Sequence, residues 1–345
     1  MSLRPLVAGL AALAMIAVAT PAQAGKSALQ RDLDAIVAEG PVSALVEVRD
    51  GERIIRLTSG SARFGTDQRV DPRGRFRVGS VTKMLIATVV MQLVAERRIG
   101  LDDKVEQWLP VAPGVTVRQL LNHTSGLYDV TRTLPLRPLS AFLPLRWKTW
   151  TPEELIARAT AEEATFPPGQ GYAYTSTGYL ILGMLIERVT GHPYAVEASR
   201  RLHLDRSTFP GTDVRIRGPH VHNYVPDDAG GVVDVTELNP SVMGAAGEAV
   251  STASDLNRFL TTLPSGLLRR MQTVTPPSSR GLGLEFLDTR CGPAYGHMGD
   301  AYGSSAWVFA TGPRHAVTLS VAWGTNRPSK ATVAALIDDA LCPAR

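Results

Sequence analysis

The sequence predicts an α/β (α+β) fold in which an antiparallel sheet is flanked by terminal helices and a mostly helical lobe is inserted. Strand patterns occur near both ends of the 345-residue chain, and helical patterns separated by Pro/Gly loops fill its middle. With 44% hydrophobic and 20% charged residues, the composition is that of a globular protein with a large core. We therefore expect a sheet domain formed by residues 25–103 and 270–345, and a helical domain formed by residues 104–269.

Residues 1–24 have the pattern of an export signal peptide. Arg4 supplies a positive charge, residues 6–19 are apolar, and an A-x-A cleavage site ends at Ala24. The apolar run is shorter than the ~20 residues that span a bilayer, which favours cleavage over an uncleaved membrane anchor. We therefore expect a secreted protein, extracellular or periplasmic, with no membrane segment after cleavage. A monomer is expected as a separate prediction.

The first part of the predicted sheet domain contains a helix, a hairpin and a second helix. Residues 28–39 have apolar side chains at helical spacing. Residues 42–48 and 54–57 predict two strands joined by an Asp-Gly turn, which is a strong hairpin signal. Residues 76–78 predict a short strand that leads into a helix, and this helix is apolar on most faces over residues 84–95. Such a helix is expected to be buried.

The later elements follow from the same patterns. Residues 177–190 predict a helix that Gly191 ends. Residues 210–240 are rich in Gly, Asp and Pro, and they predict a long surface loop. The chain then returns to three predicted strands and a final helix, at residues 294–298, 304–310, 315–323 and 330–341.

Ser80 and Lys83 form a candidate nucleophile and base at the start of the first buried helix. Side chains three residues apart share a helix face, with Cβ atoms roughly 5–6 Å apart, so the lysine can reach the serine oxygen. Unpaired N–H groups at a helix start can bind an oxyanion. The helix dipole and burial disfavour a charged lysine, which leaves an amine able to accept the serine proton. The alternative is an N-cap serine and a surface lysine.

Tyr174 lies in a glycine-rich loop that leads into an apolar helix. A phenol at this place can pass a proton between the serine, the lysine and a leaving group. The alternative is a tyrosine that only packs the loop.

Residues 297–300 end a predicted strand and give a third candidate segment. The small Gly299 lets a substrate backbone pair along the strand edge. The Asp300 N–H is a candidate second oxyanion donor beside that of Ser80. His297 is a candidate donor to a substrate carboxylate, and its alternative role is a locally hydrogen-bonded strand histidine.

Other ligand classes are not favoured by the sequence. His220 and His222 lie in an irregular loop without a nearby cysteine or acidic triad, so we expect no metal site and no cofactor. There is no run of Lys or Arg, which argues against nucleic-acid binding. The net charge of +4 still favours anionic ligands such as carboxylates or cell-wall polymers.

Cys291 and Cys342 form either a disulfide, which an oxidising compartment allows, or two buried thiols.

Five strings, taken in order, resemble the serine β-lactamase and penicillin-binding-protein superfamily, in its class C β-lactamase and D-alanyl-D-alanine carboxypeptidase branch. They are residues 76–83, 120–127, 168–191, 247–259 and 296–299. The resemblance implies a β-lactamase/transpeptidase-like fold and catalysis through an acyl-enzyme.

The resemblance also implies roles for individual residues. Ser80 is the acylated nucleophile, Lys83 is its base, and Tyr174 is the tyrosine of a Y-x-N motif. His297 and Gly299 stand at the first and third positions of the family's K-T-G or H-T-G strand.

The predicted substrate-binding residues are Ser176, His297, Gly299, Asp300 and Thr124, of which Thr124 lies in the second of the five strings. A similar carboxypeptidase type has a disulfide between a position before this strand and the C-terminal helix, which supports a Cys291–Cys342 bond.

Two positions depart from the family pattern. Ser176 stands where the motif has asparagine, and a serine is shorter and offers a single rotating hydroxyl. Met298 replaces a hydroxyl residue and removes a donor for a substrate carboxylate.

The predicted function is that of a secreted serine hydrolase acting on D-Ala-D-Ala-type peptides or β-lactams, with cell-wall peptidoglycan as a candidate partner. The two departures leave room for an esterase or a D-aminopeptidase of the same fold. A non-catalytic penicillin-recognising, cell-wall-binding protein is the alternative from a different class.

Overall fold

The computed structural model describes residues 21–227 and 229–342. The predicted export signal falls mostly on residues 1–20, which lie outside the described residues. Within the described part of the chain, no helix is both long and apolar enough to span a membrane.

Strands from both ends of the chain form the main sheet. The strands are β1 (Ser43–Asp50), β2 (Arg53–Gly60), β3 (Phe76–Arg77), β4 (Tyr224–Pro226), β5 (Val232–Asp234), β6 (Val250–Ser251), β7 (Glu285–Thr289), β8 (Gly292–Ala301), β9 (Ser304–Ala310) and β10 (His315–Ala322). Over the described residues, a six-stranded antiparallel sheet has the order β2-β1-β10-β9-β8-β7, and β3-β6 and β4-β5 form two small pairs. The strands of the large sheet all fall within the predicted sheet domain, and the division into two domains itself stays a prediction.

Helices cover the sheet and form most of the intervening lobe. They are α1 (Pro21–Ala38), α2 (Val81–Ala95), α3 (Val117–Leu121), α4 (Leu139–Phe142), α5 (Pro152–Thr160), α6 (Thr177–Thr190), α7 (Tyr194–Leu202), α8 (Ala253–Thr262), α9 (Ser265–Met271) and α10 (Lys330–Leu341). Short 3₁₀ helices occupy Val105–Gln107, Val130–Thr133, Leu143–Leu145, Pro240–Val242 and Gly244–Ala246.

The large sheet is packed on both faces. On one face, Leu33 of α1 and Leu336 of α10 are fully buried against the sheet residues Val46 and Leu319. On the other face, α8 lies across β1, β9 and β10, and the nearly all-buried helix α2 packs against β8 and β9. The packing of α2 on this face places β8 beside the start of α2, where the candidate nucleophile lies.

The predicted strands and helices agree with the structure for long segments and differ for short ones. The final helix has the predicted bounds, and Gly191 ends α6 in the left-handed conformation, with φ 77°. The loop predicted at residues 210–240 contains the β4–β5 hairpin, and β7 has no counterpart among the predicted strands. These strands have three to five residues, so they are too short to show a clear alternation of apolar side chains.

A disulfide bond joins Cys291 and Cys342, with 5.6 Å between their Cα atoms. It connects the turn between β7 and β8 to the end of α10. The bond closes a loop over a sequence separation of 51 residues. It therefore connects the beginning of β8 to the C-terminal helix α10.

Candidate active site

Ser80 stands at the junction between β3 and α2. The pairing of Phe76 with Ser251 fixes β3, and the chain then turns at Gly79, whose φ of 53° favours glycine. A Cβ atom on Gly79 would overlap the Asp300 carbonyl group and lie 2.9 Å from the Ala301 nitrogen. Ser80 is the N-cap of α2 but makes no side-chain cap bond, so its hydroxyl is free for other partners.

Lys83 contacts Ser80 as the helical spacing predicts. Its Nζ atom lies 3.1 Å from Ser80 Oγ, 3.3 Å from Ser176 Oγ and 2.8 Å from the Ala246 carbonyl oxygen. The side chain is fully buried, and burial lowers the pKa of Lys83 to about 7 against the opposing attraction of the Asp129 and Glu285 carboxylates. A neutral amine that can accept the Ser80 proton is therefore well populated near neutral pH.

The pKa of Lys83 sets the expected pH dependence of acylation. Because the neutral amine is the base, the single-turnover acylation rate should rise about tenfold per pH unit below pH 7 and level off above it. The rate is measured with an activated ester between about pH 5 and about pH 9, with the uncatalysed ester hydrolysis subtracted at each pH. A flat profile across this range would show that Lys83 does not act as the base.

Tyr174 lies against both residues. It is hydrogen-bonded to Ser80, and Lys83 Nζ is 5.0 Å from the centre of its ring. Burial raises the pKa of Tyr174, so the phenol keeps its proton at neutral pH. Its first action in a reaction is therefore to donate a hydrogen bond rather than to remove a proton.

A layer of charged and aromatic side chains supports Tyr174 from behind. The His123 ring lies 4.4 Å from the Tyr174 ring between centroids, and burial holds the pKa of His123 well below its usual value. The Arg280 guanidinium lies 5.2 Å from the same ring and is paired with the Glu285 carboxylate. The candidate site residues chosen from the sequence included none of these three. His123 lies in one of the strings that resemble the family, whereas Arg280 and Glu285 carry no local signal.

His297 belongs to this supporting layer and does not line the cavity. It is buried, its Nε2 lies 3.4 Å from a Glu285 carboxylate oxygen, and its Nδ1 contacts the Met298 carbonyl oxygen. Burial is the main cause that lowers the pKa of His297 to about 4, so the ring is neutral at neutral pH. The structure therefore does not bring it to the place expected for a donor to a substrate carboxylate, because alternation along β8 turns His297 inward and leaves Met298 exposed.

Gly299 brings the backbone of β8 against the nucleophile. A Cβ atom there would lie 2.6 Å from the Ser80 nitrogen and 2.8 Å from the Val81 nitrogen. β7 pairs with β8 only at Gly292–Gly296, and among the described residues no strand continues along that edge. The exposed edge beside Ser80 suits a substrate that pairs as an added strand.

Asp300 and Thr124 have different surroundings. Asp300 lines the cavity, and its carboxylate accepts the Ser305 hydroxyl at 2.6 Å and pairs with Arg327 at 3.1 Å. The hydroxyl of Thr124 is buried and donates to Asn122 Oδ1 at 2.7 Å, so it stabilises its own loop and does not line the cavity. The roles assigned to the two backbone N–H groups of an oxyanion hole stay predictions.

A cavity of about 710 Å³ opens over Ser80. Tyr174, Ser176 and Asp129 lie in its polar wall. An apolar wall of the same cavity includes Leu136, Phe142, Val225, Leu238, Val242 and Tyr302. The shape and lining suit an acyl group with an apolar side chain next to a polar reacting carbonyl.

Comparison with protein families and curated proteins identifies the family of this chain. Residues 29–340 match the family model described as Beta-lactamase. Penicillin-binding protein 4 of Amycolatopsis lactamdurans is 32% identical over 241 residues, which are 64% of this chain and 58% of that protein. Esterase EstB of Burkholderia gladioli is 31% identical over 173 residues, which are 44% of this chain and 41% of the esterase. The chain spans about a third to three fifths of the length of the curated relatives it matches.

Solved structures match over almost the whole chain. A D-stereospecific amidohydrolase from Streptomyces sp. superposes with a TM-score of 0.82 at 35% identity, over 93% of this chain and 99% of that one. A D-amino acid amidase from Ochrobactrum anthropi SV3 superposes with a TM-score of 0.79 at 26% identity, over 92% and 98%. The predicted family, fold class and enzyme class are confirmed. The chain therefore belongs to the β-lactamase family and is a serine hydrolase with the β-lactamase/transpeptidase-like fold.

Proposed function

We propose that the enzyme is an amidohydrolase that transfers to Ser80 the acyl group of a D-amino-acid amide or of a short peptide with a D-residue at the scissile carbonyl. The observation that carries this proposal is the position of His297. A charge-assisted donor at this place would favour a substrate with a carboxylate next to the scissile bond. His297 is instead neutral, buried and paired with Glu285, and the neighbouring Met298 has no donor. An amide substrate without a carboxylate does not need such a donor.

The solved structures support the same substrate class. The two structures compared above are named as a D-stereospecific amidohydrolase and a D-amino acid amidase, and both match more than nine tenths of this chain. The apolar wall of the cavity supplies a place for the side chain of the acyl group. The preference for the D-configuration rests on these relatives and is part of the proposal.

The reaction follows from the contacts of Ser80 and Lys83. Neutral Lys83 accepts the Ser80 proton, and Ser80 Oγ attacks the carbonyl carbon. The N–H groups of Ser80 and Asp300 hold the oxyanion. The amine leaves with a proton from the site, and water then hydrolyses the ester on Ser80.

A second candidate is the cleavage of D-Ala-D-Ala peptides or slow acylation by β-lactams. The free edge of β8 beside Ser80 favours it, because a peptide can pair along that edge. The similarity to penicillin-binding proteins points in the same direction. Activated esters are expected to acylate Ser80 in either case, because they need no protonated leaving group.

The test uses the full chain and a panel of substrates. Paired D- and L-forms of one amino-acid amide are compared with a D-Ala-D-Ala peptide, a chromogenic cephalosporin and a p-nitrophenyl ester. We expect kcat/KM for the D-amide to exceed that for the L-amide by at least about 100-fold, a difference of about 2.7 kcal/mol. Ser80→Ala should abolish the activity and the acyl adduct seen by intact mass. Ser199→Ala, an exposed serine on α7, is the matched control.

Three other results of this panel would contradict part of the proposal. Turnover of the D-Ala-D-Ala peptide with no turnover of the D-amide would establish the carboxypeptidase assignment instead. Turnover of the p-nitrophenyl ester alone would establish an esterase. An adduct that persists in Ser80→Ala would remove Ser80 as the nucleophile.

A further inference from the structure

We propose that the Ser176 hydroxyl is a second proton relay of the site, which passes a proton from Lys83 to the nitrogen of the leaving amine. This inference rests on the proposed amide hydrolysis, because only an amine leaving group needs that proton. It gives Ser176 a chemical role beyond contact with substrate.

The backbone of Ser176 is held in place without using its hydroxyl. Ser176 is the N-cap residue of α6, and a serine at that position usually accepts a hydrogen bond from an N–H of the first helical turn. Here the side chain makes no cap bond. The backbone N–H of Ser176 instead donates to Asp129 Oδ1 at 3.2 Å, and the same oxygen accepts the Thr131 N–H. The hydroxyl is therefore free to face the catalytic lysine.

The surroundings of Lys83 leave few routes for its proton. Lys83 is fully buried and does not line the cavity. Its Nζ is hydrogen-bonded to Ser80 Oγ, Ser176 Oγ and the Ala246 carbonyl oxygen. Once Ser80 Oγ has attacked the carbonyl carbon it no longer carries a proton, and a carbonyl oxygen only accepts. Among the three, Ser176 alone has both a hydroxyl proton to give and a lone pair to receive another.

Ser176 also reaches the reacting space. It lines the same cavity as Ser80 and Tyr174. Tyr174 is hydrogen-bonded to Ser80. The Lys83 Nζ atom lies 3.3 Å from Ser176 Oγ, slightly more than the about 3.2 Å of a proton transfer, and such contacts shorten when substrate binds. Of the two hydroxyl groups of Tyr174 and Ser176, that of Ser176 is hydrogen-bonded directly to Lys83 Nζ.

The proposed step balances. In the tetrahedral intermediate, the Lys83 ammonium gives one proton to Ser176 Oγ, and Ser176 gives its own hydroxyl proton to the leaving nitrogen. The carbon–nitrogen bond breaks, the carbonyl of the acyl-enzyme re-forms, and the amine departs neutral. Lys83 returns to its neutral form, and Ser176 again carries one proton. An asparagine amide at this position can hold the lysine but does not relay a proton in this way.

The experiment compares two leaving groups with the same acyl group. An alkylamide must be protonated to leave, whereas a p-nitrophenyl ester leaves as the phenolate. Single-turnover acylation of Ser80 is measured for wild type, Ser176→Asn, Ser176→Ala and Ser176→Thr. We expect Ser176→Asn and Ser176→Ala to lower acylation by the amide about 100-fold or more and by the ester at most about tenfold. Ser176→Thr, which keeps a hydroxyl, should recover most of the amide rate. Ser199→Asn is the matched control.

Each other outcome overturns the relay. An equal loss with both substrates would mean that Ser176 only positions Lys83. No loss with the amide would mean that Tyr174 carries the whole proton transfer. A wild-type enzyme that is acylated by the ester but by no amide would refute the proposed function before any variant is made, and the relay with it.

Discussion

Replacement of Lys83 by methionine is expected to lower the acylation rate of Ser80 by about 10³-fold, within the usual range for the loss of a general base. Methionine has a similar length and suits a fully buried position, so the helix and its packing should persist. The variant loses the amine that bonds to Ser80, Ser176 and the Ala246 carbonyl. Tyr174, which is also hydrogen-bonded to Ser80, has a pKa raised by burial and keeps its proton at neutral pH, so it is not expected to replace the amine as the base.

The measurement is single-turnover acylation by the p-nitrophenyl ester, followed by intact mass. Thermal unfolding of the same samples reports whether the fold is kept. Lys330→Met, an exposed lysine at the start of α10, should leave the rate unchanged and serves as the matched control. A Lys83→Met enzyme that keeps its acylation rate within tenfold would transfer the role of base to Tyr174.

Replacement of Gly299 by alanine is expected to lower kcat/KM by about 100-fold or more, because it displaces the strand that borders the nucleophile. The added Cβ atom would lie 2.6 Å from the Ser80 nitrogen and would overlap the Val78 carbonyl oxygen. Both are backbone atoms, so no side-chain rotation relieves the overlap. Either β8 or the start of α2 must shift, and a shift of about 1 Å in a catalytic geometry costs about this factor.

Gly312→Ala is the control for this substitution. Gly312 lies in the turn between β9 and β10, and a Cβ atom there would have open space around it. The two variants are compared by kcat/KM for the ester and by the midpoint of thermal unfolding. Full activity in Gly299→Ala would show that β8 need not touch the Ser80 backbone during the reaction.

The nucleophile and its base could be predicted because their contact is local. A spacing of three residues on a helix sets the distance between Ser80 and Lys83 whatever the rest of the chain does. Tyr174 could be added only through the order of the family strings, because its loop reaches Ser80 through tertiary packing. The prediction and the structure differ for His297, where a side chain had to be assigned to one face of a strand. His297 turns inward, and the partner that holds it there, Glu285, lies on a different strand.

The supporting layer behind Tyr174 could not be predicted from the sequence for a related reason. Arg280 and Glu285 come from the segment around the start of β7, and nothing in the local pattern links them to a loop more than a hundred residues earlier. The long elements of the fold were accessible because their periodicity extends over many residues. β4, β5 and β7 were not, because a strand of three to five residues is defined by its partner rather than by its own sequence.

The pairing of β1 with β10 has a consequence for the order in which the molecule is assembled. Ser43 pairs with Ala322, so nearly the whole described chain must be present before the centre of the sheet can form. Proteins with many contacts between residues far apart in sequence fold slowly, because a large loop must close before the contacts that stabilise the closed loop can form. The nucleophile is made early, but the strand that borders it is among the last to be made. We therefore expect a growing polypeptide to carry Ser80 in an inert form until the final strands complete the sheet.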